Sequence, residues 1–314
     1  MTMDRLTENK IVLIKRKTRL DDLISRFNTI NQAKFYIEHL GSDFSDYIRE
    51  DQQYKNSVIE ACEILGNMAR VQVLDREYLP NYIFGESDLV VAIGQDGLVA
   101  NTLKYLNEQL LIGVNPDPAR WDGVLLPFKV SDLSLIVPEV FKCKRSFKEI
   151  TMAKATLNDG QSIYGVNDLF IGQKTHVSSR YIIESRGKQE PQSSSGIIIS
   201  TGLGSTGWLQ SVLTGAANIV STISDKQVNI KDTGKLDWNA NYLYFSVREP
   251  FPSRNTGTDL VFGKITKTSK LKVRSLMPEN GVIFSDGIEN DFLQFNSGIA
   301  AEIAIAEKKG HLVL

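Results

Sequence analysis

The chain has 314 residues and a mass of 35.1 kDa, so a prior of about 150 residues per domain favours two domains. Hydrophobic residues make up 42% of the sequence, a composition that excludes an intrinsically disordered protein. No apolar run approaches the ~18 residues of a membrane span, and a net charge of −1 gives no reason to expect nucleic acid, so we expect neither partner.

The first 127 residues alternate between the patterns of buried strands and of amphipathic helices. The predicted elements in chain order are strand Lys10–Lys15, a helix over 20–30, a helix over 54–70, strands Val71–Leu74 and Ser87–Ile93, a helix over 98–106, and strand Leu111–Val114. This order predicts an open, mainly parallel α/β domain with a Gly-rich loop over residues 1–127.

From Phe128 onward the sequence predicts frequent strands and few helices. The predicted strands are Ile150–Leu157, Ile163–Ile171, Arg180–Glu184, Ile197–Ser200, Tyr242–Val247, Leu271–Arg274 and Val282–Ser285. One helical pattern opens at Gly204, and Gly187–Ser195 has the composition of an exposed loop. We therefore expect a mostly β domain over residues 128–314, with its last strand packing back on the first domain.

The few cysteines and histidines indicate a reduced cellular compartment. Cys62 and Cys143 lie far apart and the chain has three histidines, so neither a disulfide framework nor a zinc cluster is expected. Residues 1–10 fit neither a secretory signal nor a transit peptide, because they contain Asp4 and Glu8 and no apolar core. We expect a cytoplasmic protein.

The first candidate site is Gly94-Gln95-Asp96-Gly97, which follows a buried strand. Open α/β sheets bind ligands at the carboxyl ends of their strands, and a following helix N-terminus favours phosphate. Gly94 and Gly97 would let the backbone approach that phosphate. A plain strand-to-helix turn with Asp96 as the N-cap explains the same residues, so the pattern alone leaves both interpretations open.

Two further candidates lie in the second domain. Residues 200–208 (STGLGSTGW) form a hydroxyl-rich turn between a strand and a helix, where a phosphate or ribose could bind and Trp208 could stack on a ring. Helix capping and a core tryptophan would account equally for that turn. Asn167-Asp168 is a polar pair in an apolar segment, which an Asx turn or a bound ribose would satisfy.

Together these three motifs resemble the NAD kinase family, over roughly residues 11–314. The family carries a Gly-Gly-Asp-Gly loop, an Asn-Glu or Asn-Asp pair and a Ser-Thr-x-x-Gly-Ser-Thr-x-aromatic turn. The segments 112–117 (IGVNPD), 165–172 (GVNDLFIG) and 245–250 (FSVREP), together with the Asp286-Gly287 turn, look closest to the mitochondrial-type branch.

The resemblance implies phosphoryl transfer from ATP, with Mg²⁺, to the adenosine ribose 2′-hydroxyl of NAD or NADH. Asp96 would be the catalytic base, and Asn167 and Asp168 would hold a ribose or the nicotinamide end. The other nucleotide-binding residues that it implies are Gly94, Gly97, Arg19, Asn115, Thr201, Gly204, Ser205, Thr206, Gly207 and Trp208. It also implies a homodimer or homotetramer.

Arg19 lies at the end of a basic run. A solvated surface charge explains the presence of this arginine as well as a phosphate contact does.

This sequence departs from the family pattern in the Gly-rich loop. Gln95 stands where the family has its second glycine, and Leu98 stands where threonine usually follows. If position 95 requires a positive φ, a non-glycine residue there costs about 1 to 2 kcal/mol. Leu203 likewise replaces a residue that carries a hydroxyl in many members. Asp96, which the chemistry requires, is present.

Three alternative functions follow from the same residues. Diacylglycerol and sphingosine kinases share the Gly-rich loop and the two-domain plan, but the Asn167-Asp168 pair and Trp208 favour a nucleotide acceptor. A NAD(H)-binding sensor is the second alternative if Gln95 and Leu98 no longer orient ATP. A Rossmann dehydrogenase is the weakest, because no Gly-x-Gly-x-x-Gly follows the first strand. The sequence does not choose between NAD and NADH.

Overall fold

The computed structural model describes residues 6–224, 227–228, 236–288 and 291–314. The chain divides into two compact units. The first unit comprises residues 1–148 together with His311–Leu314, and the second comprises Glu149–Gly310. The first unit therefore extends beyond residue 127, the domain end expected from the change in sequence pattern. No helix within the described ranges is long and apolar enough to cross a bilayer.

The first unit is an α/β structure. Its elements are β1 (Lys10–Lys15), α1 (Arg19–Phe27), α2 (Ile30–His39), α3 (Ser45–Gly66), β2 (Arg70–Asp75), β3 (Leu89–Ile93), α4 (Asp96–Leu103), β4 (Leu110–Asn115), β5 (Phe128–Lys129) and α5 (Leu133–Phe141). The strands β2, β1, β3 and β4 are neighbours in that order and run parallel. Both β5 and the chain end at His311 and Leu312 pair parallel with β4. The predicted parallel α/β sheet is confirmed.

Helix α3 ties two strand ends together through Tyr54. The Tyr54 hydroxyl accepts a hydrogen bond from the Arg16 N–H at 2.8 Å and donates one to the Ile93 carbonyl at 3.0 Å. Arg16 follows β1 and Ile93 ends β3, so this one hydroxyl links the carboxyl ends of the two strands. Burial raises the pKa of Tyr54 to about 12, and the hydroxyl therefore stays protonated and able to donate at physiological pH.

The second unit is mostly β, as predicted. Its elements are β6 (Phe147–Leu157), β7 (Ser162–Gly165), β8 (Asp168–Gln173), β9 (Ser179–Ser185), β10 (Lys188–Ser194), β11 (Ile197–Ser200), α6 (Trp208–Ser224), β12 (Tyr242–Val247), β13 (Phe262–Thr266), β14 (Leu271–Ser275), β15 (Gly281–Ser285), β16 (Phe292–Gln294) and β17 (Ala300–Val313), whose last residues belong to the first unit. One sheet has the strand order β13-β12-β11-β8-β15-β16 and is antiparallel.

A second group of antiparallel strands, β10-β9-β14-β17, completes this unit, with β6 pairing with both β17 and β7. The core contains fully buried side chains from both groups of strands, among them Ile171 and Ile199 from the first and Tyr181 and Ile303 from the second. Alternation along each strand places these side chains on the inner face, where burying apolar area stabilises the unit.

Two local predictions in this unit are wrong. The segment 187–195, expected to be an exposed loop, contains β10, which pairs along its whole length with β9. Because β10 lies at the edge of its sheet, Pro191 is tolerated there despite its missing N–H. The single strand expected over Ile163–Ile171 is divided into β7 and β8. The interruption is Val166-Asn167, and Asp168 is the first residue of β8.

Gly113 in β4 allows a later segment of the chain to pack directly on the sheet. A Cβ atom at this position would lie 2.0 Å from the Leu125 carbonyl oxygen, closer than any real contact. Only a residue without a side chain permits this approach. Gly215, inside α6, has nothing within 4 Å of its added Cβ and does not need to be glycine.

We predict opposite stability effects for alanine at these two glycines. Gly113→Ala is expected to lower the free energy of unfolding by about 1–3 kcal/mol, because the Leu125 backbone must move. Gly215→Ala is expected to raise it by about 0.5–1 kcal/mol, because glycine inside a helix is entropically unfavourable. Urea denaturation of both variants and the parent chain measures the two differences. Equal effects of the two substitutions would contradict the packing described for Gly113.

Candidate functional site

The Gly-rich loop turns from β3 into α4 without strain. Gln95 is the N-cap of α4 and has φ −122° and ψ 164°, an extended conformation that any residue adopts. The cost considered for a non-glycine residue at this position therefore does not arise. Leu98 is buried and its N–H donates to the Gln95 carbonyl at 2.8 Å. Its Cδ2 atom would lie 2.9 Å from a Cβ added to Gly94, so this leucine packs against the bare backbone of that glycine.

The Asp96 side chain binds backbone amides of the segment that follows β4. Its Oδ1 accepts from the Leu125 N–H at 2.7 Å, and its Oδ2 accepts from the Val124 N–H at 3.3 Å. Asn115 organises the same segment, because its amide donates to the Trp121 carbonyl at 2.8 Å and its Oδ1 accepts from the Asp117 N–H at 3.0 Å. The structure thus brings Asp96 and Asn115 to the two sides of one loop. Gly97, at the start of α4, is exposed and faces open space.

Arg19 lies in a cluster of ion pairs with α3. Its guanidinium binds Asp46 at 2.8 Å and also binds Glu50, and it lies 4.5 Å over the ring of Tyr47. Arg120 binds the same Asp46 carboxylate with two hydrogen bonds of 2.6 and 3.0 Å. The two arginines hold the pKa of Asp46 well below its usual range. In the described structure Arg19 thus forms ion pairs with carboxylates of its own unit.

Arg16, which the sequence analysis did not single out, lies beside the Gly-rich loop. Its Cδ and Nε atoms would both be 3.7 Å from a Cβ added to Gly94. One terminal nitrogen donates to Glu50 at 3.0 Å and the other to the Lys17 carbonyl at 2.8 Å, whereas Nε is buried without a hydrogen-bond partner. The cation adjacent to this loop is therefore Arg16.

In the second unit, Asp286 organises the Asn167-Asp168 turn. The Asp286 carboxylate accepts hydrogen bonds from three consecutive backbone N–H groups, those of Val166, Asn167 and Asp168, at 2.6–3.2 Å. The Ser285 hydroxyl adds a contact at 3.1 Å. A carboxylate surrounded by several donors is stabilised in its charged form. Asp286 is therefore the anchor of the turn that carries the two predicted side chains.

Asp168 itself has a very different environment. Its Oδ1 atom has no contact with solvent and no hydrogen-bond partner. Burial raises the pKa of Asp168 to about 7, the negative charge of Asp286 raises it further, and the Ser200 side chain on β11 opposes both effects. Two carboxyl groups with very different surroundings therefore line one cavity.

The hydroxyl-rich turn after β11 is held by its own side chains. Thr201 donates to the carbonyls of Val166 and Asn167 and accepts from the Gly204 N–H at 3.2 Å. Ser205 donates to the Gly202 carbonyl at 2.7 Å. Thr201 and Ser205 are both fully buried, and in this structure their hydroxyls form hydrogen bonds with backbone groups.

Gly204 is required where this turn meets the Asn167-Asp168 turn. A Cβ atom on Gly204 would lie 2.1 Å from the Asn167 carbonyl oxygen and 2.8 Å from Asp168 Oδ1. The next residues, Thr206 and Gly207, are exposed. Thus Gly204 is buried against the acidic turn, while the chain immediately after Ser205 faces solvent.

Trp208 begins α6 and lies between an aromatic ring and a cation. Its ring stacks on Phe170 with centroids 5.8 Å apart and an interplanar angle of 20°, and the Arg248 guanidinium lies 5.5 Å from its centroid. Trp208 keeps 39% of its surface exposed, which is large for a stacked tryptophan. An exposed aromatic face of this kind is available to a planar ligand.

Several of these side chains line a cavity of about 600 Å³ within the second unit. It is lined by Asn167, Asp168, Phe170, Gln173, Lys174, Trp208, Arg248, Phe284, Asp286, Gly287 and Ile288. The cavity combines aromatic faces with two carboxyl groups, two cations and two amides, the composition typical of a small-molecule site. Of the residues predicted for nucleotide binding, Asn167, Asp168 and Trp208 line it, whereas Thr201, Ser205, Thr206 and Gly207 do not.

The fold is similar to those of solved structures. The chain superposes on an NAD kinase from Archaeoglobus fulgidus, crystallised in complex with ATP, with a TM-score of 0.56 and 13% identity over 97% of this chain and 93% of that one. It superposes on yeast NADH kinase complexed with NADH with a TM-score of 0.54 and 13% identity, over 98% of this chain and 84% of that one. The chain has the fold of NAD kinases. No protein-family model and no curated protein sequence matches it.

We predict that Asp168 makes stability depend on pH. Because its pKa in the folded protein is raised to about 7, the folded state keeps a proton that the unfolded chain releases near pH 4. The free energy of unfolding should therefore fall as pH rises from about 4 to 7, by an amount on the order of a few kcal/mol, and stay low above pH 7. Asp168→Asn should lack this fall. The free energy of unfolding of the variant minus that of the parent chain should therefore be larger at pH 8 than at pH 5.

Urea denaturation of the parent chain and of Asp168→Asn at these two pH values measures this difference. Asp259→Asn is a suitable control, because Asp259 is an exposed aspartate of the same unit. A pH-independent difference between Asp168→Asn and the parent would contradict a raised pKa at this position.

Proposed function

We propose that the protein is a member of the NAD kinase family and transfers the terminal phosphate of ATP to the adenosine ribose 2′-hydroxyl of NAD or NADH. The observation that carries the proposal is the cavity of the second unit, in which Asn167, Asp168 and Trp208 face one space in a chain with the fold of NAD kinases. The similar structures contain ATP in one case and NADH in the other, which supports nucleotides as substrates.

The chemistry of the cavity fits part of a dinucleotide. The Trp208 and Phe170 rings offer faces for a nucleobase or nicotinamide. Asn167 and Asp168 offer polar groups for a ribose or carboxamide, and Arg248 and Lys174 are cations that suit phosphate oxygens. A lipid alcohol would need a long apolar channel, whereas this lining is mixed polar and aromatic. The cavity therefore favours a nucleotide over a lipid acceptor.

Asp96 would act as the general base. In the transfer, the 2′-oxygen forms a bond to the terminal phosphorus of ATP while the bond from that phosphorus to the leaving ADP oxygen breaks, and the hydroxyl proton passes to the Asp96 carboxylate. The amides of Val124 and Leu125 would fix the carboxylate for this task. Arg16, with its unpartnered Nε beside Gly94, is suited to a phosphate oxygen near the same loop.

Magnesium would arrive with ATP. The described residues contain no group of three or more His, Cys, Asp or Glu side chains placed to hold a metal ion. The role proposed for Mg²⁺ is the usual one in kinases, where the ion keeps phosphate and water ligands and neutralises charge on the transferred phosphate.

The alternative of an inactive NAD(H) sensor was based on Gln95 and Leu98. The extended backbone at Gln95 and the buried packing of Leu98 give it no support, because the loop accommodates both residues without strain. Cytoplasmic residence and assembly into a homodimer or homotetramer are further parts of the proposal.

We expect Asp96→Asn to remove kinase activity. A positioned general base contributes about 10²- to 10⁴-fold to the rate, and the amide cannot accept the proton. The measurement is NADP(H) formation by the purified protein with ATP and Mg²⁺, offering NAD and NADH separately. Asp22→Asn, at an exposed aspartate of α1, serves as the matched control and should keep full activity. Circular dichroism shows whether the variant is folded, and a folded Asp96→Asn with undiminished turnover would contradict the role of Asp96.

We expect Trp208→Ala to weaken binding of NAD or NADH about 2- to 10-fold, because a stacking contact contributes roughly 0.5–1.5 kcal/mol. Phe251→Ala provides the comparison, since Phe251 is an exposed aromatic residue outside the cavity lining. Isothermal titration calorimetry gives both affinities. An equal loss of affinity in both variants would contradict a stacking role of Trp208 in ligand binding.

A further inference from the structure

The cavity contains two carboxyl groups whose surroundings differ sharply. Asp286 accepts from three backbone N–H groups, all of which stabilise its negative charge. Asp168 has one oxygen, Oδ1, that is enclosed and has no hydrogen-bond partner. Hydrogen-bond donors are thus concentrated on Asp286, whereas Asp168 has the Ser200 side chain and an Oδ1 atom without a partner.

The cations of the cavity do not compensate the charge of Asp168 in the described structure. Arg248 lies over the Trp208 ring and pairs with Glu249 at 3.6 Å, and Lys174 lies 5.0 Å from the centroid of the Phe292 ring. No described ion pair joins either of them to Asp168. Ser200 on the neighbouring strand β11 provides a neutral hydroxyl only.

We propose that the enclosure of Asp168, reinforced by the neighbouring Asp286 as a positioning residue, keeps Asp168 in its neutral carboxylic-acid form, so that Asp168 donates a hydrogen bond to an acceptor atom of the bound ligand. The acceptor would be a carboxamide oxygen or a ring nitrogen, groups that NAD and NADH present. A hydroxyl-binding carboxylate would need to be ionised, and two nearby carboxylates resist ionising together. The choice of NAD or NADH as ligand rests on the proposed function, but the protonation of Asp168 does not.

The protonation state is tested first without any ligand. In ¹³C NMR of aspartate-labelled protein, the Asp168 carboxyl should titrate near pH 7, the value to which its pKa is raised. In Asp286→Asn the amide oxygen can still accept the turn's N–H groups while the charge is gone, so the Asp168 midpoint should move to lower pH. Asp259→Asn, at an exposed position, should leave it unchanged. An Asp168 midpoint that is the same in the parent and in Asp286→Asn would overturn the role of Asp286.

Binding is tested next, with NAD as the probe. If only the protonated form of Asp168 binds, a group with a pKa of about 7 makes the dissociation constant rise about tenfold between pH 6 and pH 8. Asp168→Asn should remove this dependence, because an amide donates at both pH values. Histidine side chains are the other groups that can change charge between pH 6 and pH 8, so His176→Gln, in the turn after β8, is included as a control and should retain the tenfold change.

The possible results separate the two proposals. Dissociation constants that do not change between pH 6 and pH 8, or a dependence that survives in Asp168→Asn, would overturn hydrogen-bond donation by Asp168. Absence of NAD and NADH binding at every pH would count against the proposed function, while the NMR titration would still decide the state of Asp168. A shift of the Asp168 midpoint in Asp286→Asn together with pH-dependent binding of NAD supports both.

Discussion

The candidate site of the second unit depends on the hydrogen bonds between the Asp286 carboxylate and three consecutive backbone N–H groups. Val166 and Asn167 lie between the two strands, because β7 ends at Gly165 and β8 begins at Asp168. Buried backbone donors must be satisfied, and a single carboxylate satisfies all three. The turn that presents Asn167 and Asp168 exists because this acceptor reaches it from the end of β15, more than a hundred residues later in the chain.

The first unit uses the same device at its Gly-rich loop. Asp96 accepts from the amides of Val124 and Leu125, and Gly113 lets the Leu125 backbone lie directly on β4. In each unit a carboxylate at a strand end orders a segment that regular pairing does not reach. An aspartate that is already fixed by backbone donors needs little reorganisation when it takes part in binding or catalysis, which is how preorganised groups accelerate reactions.

Much of this architecture could be predicted from the sequence, because the spacing of apolar residues indicates which side chains are buried. The buried strands β1 and β3, the parallel order of the first unit and the mostly β second unit all followed from apolar patterns. The motif residues Asn167, Asp168 and Trp208 were found because polar or aromatic groups at strand ends stand out. Failures came where distant partners decide the outcome: β10 has the polar composition of a loop but is held by pairing with β9.

The same limit applies to charged side chains. Arg19 and Arg16 belong to one basic run, and nothing in that run indicates that carboxylates of α3 engage Arg19 while Arg16 lies against Gly94. The Asp286-Gly287 turn is part of the family resemblance, but its sequence does not show that Asp286 binds the Asn167-Asp168 turn, because an aspartate followed by glycine after a strand is typical of an ordinary turn. Only the fold shows which amides such a carboxylate meets.

The relaxed backbone at Gln95 also bears on how proteins of this fold are detected. A signature that demands two consecutive glycines before the aspartate assumes that both positions need the freedom of glycine. Here the first glycine is packed under Leu98, but the second position adopts ordinary extended angles and accepts a long polar side chain. Searches that require the glycine pair will therefore pass over chains in which the loop has the same course, and a pattern that fixes Gly94, Asp96 and the later Asn-Asp pair would retain them.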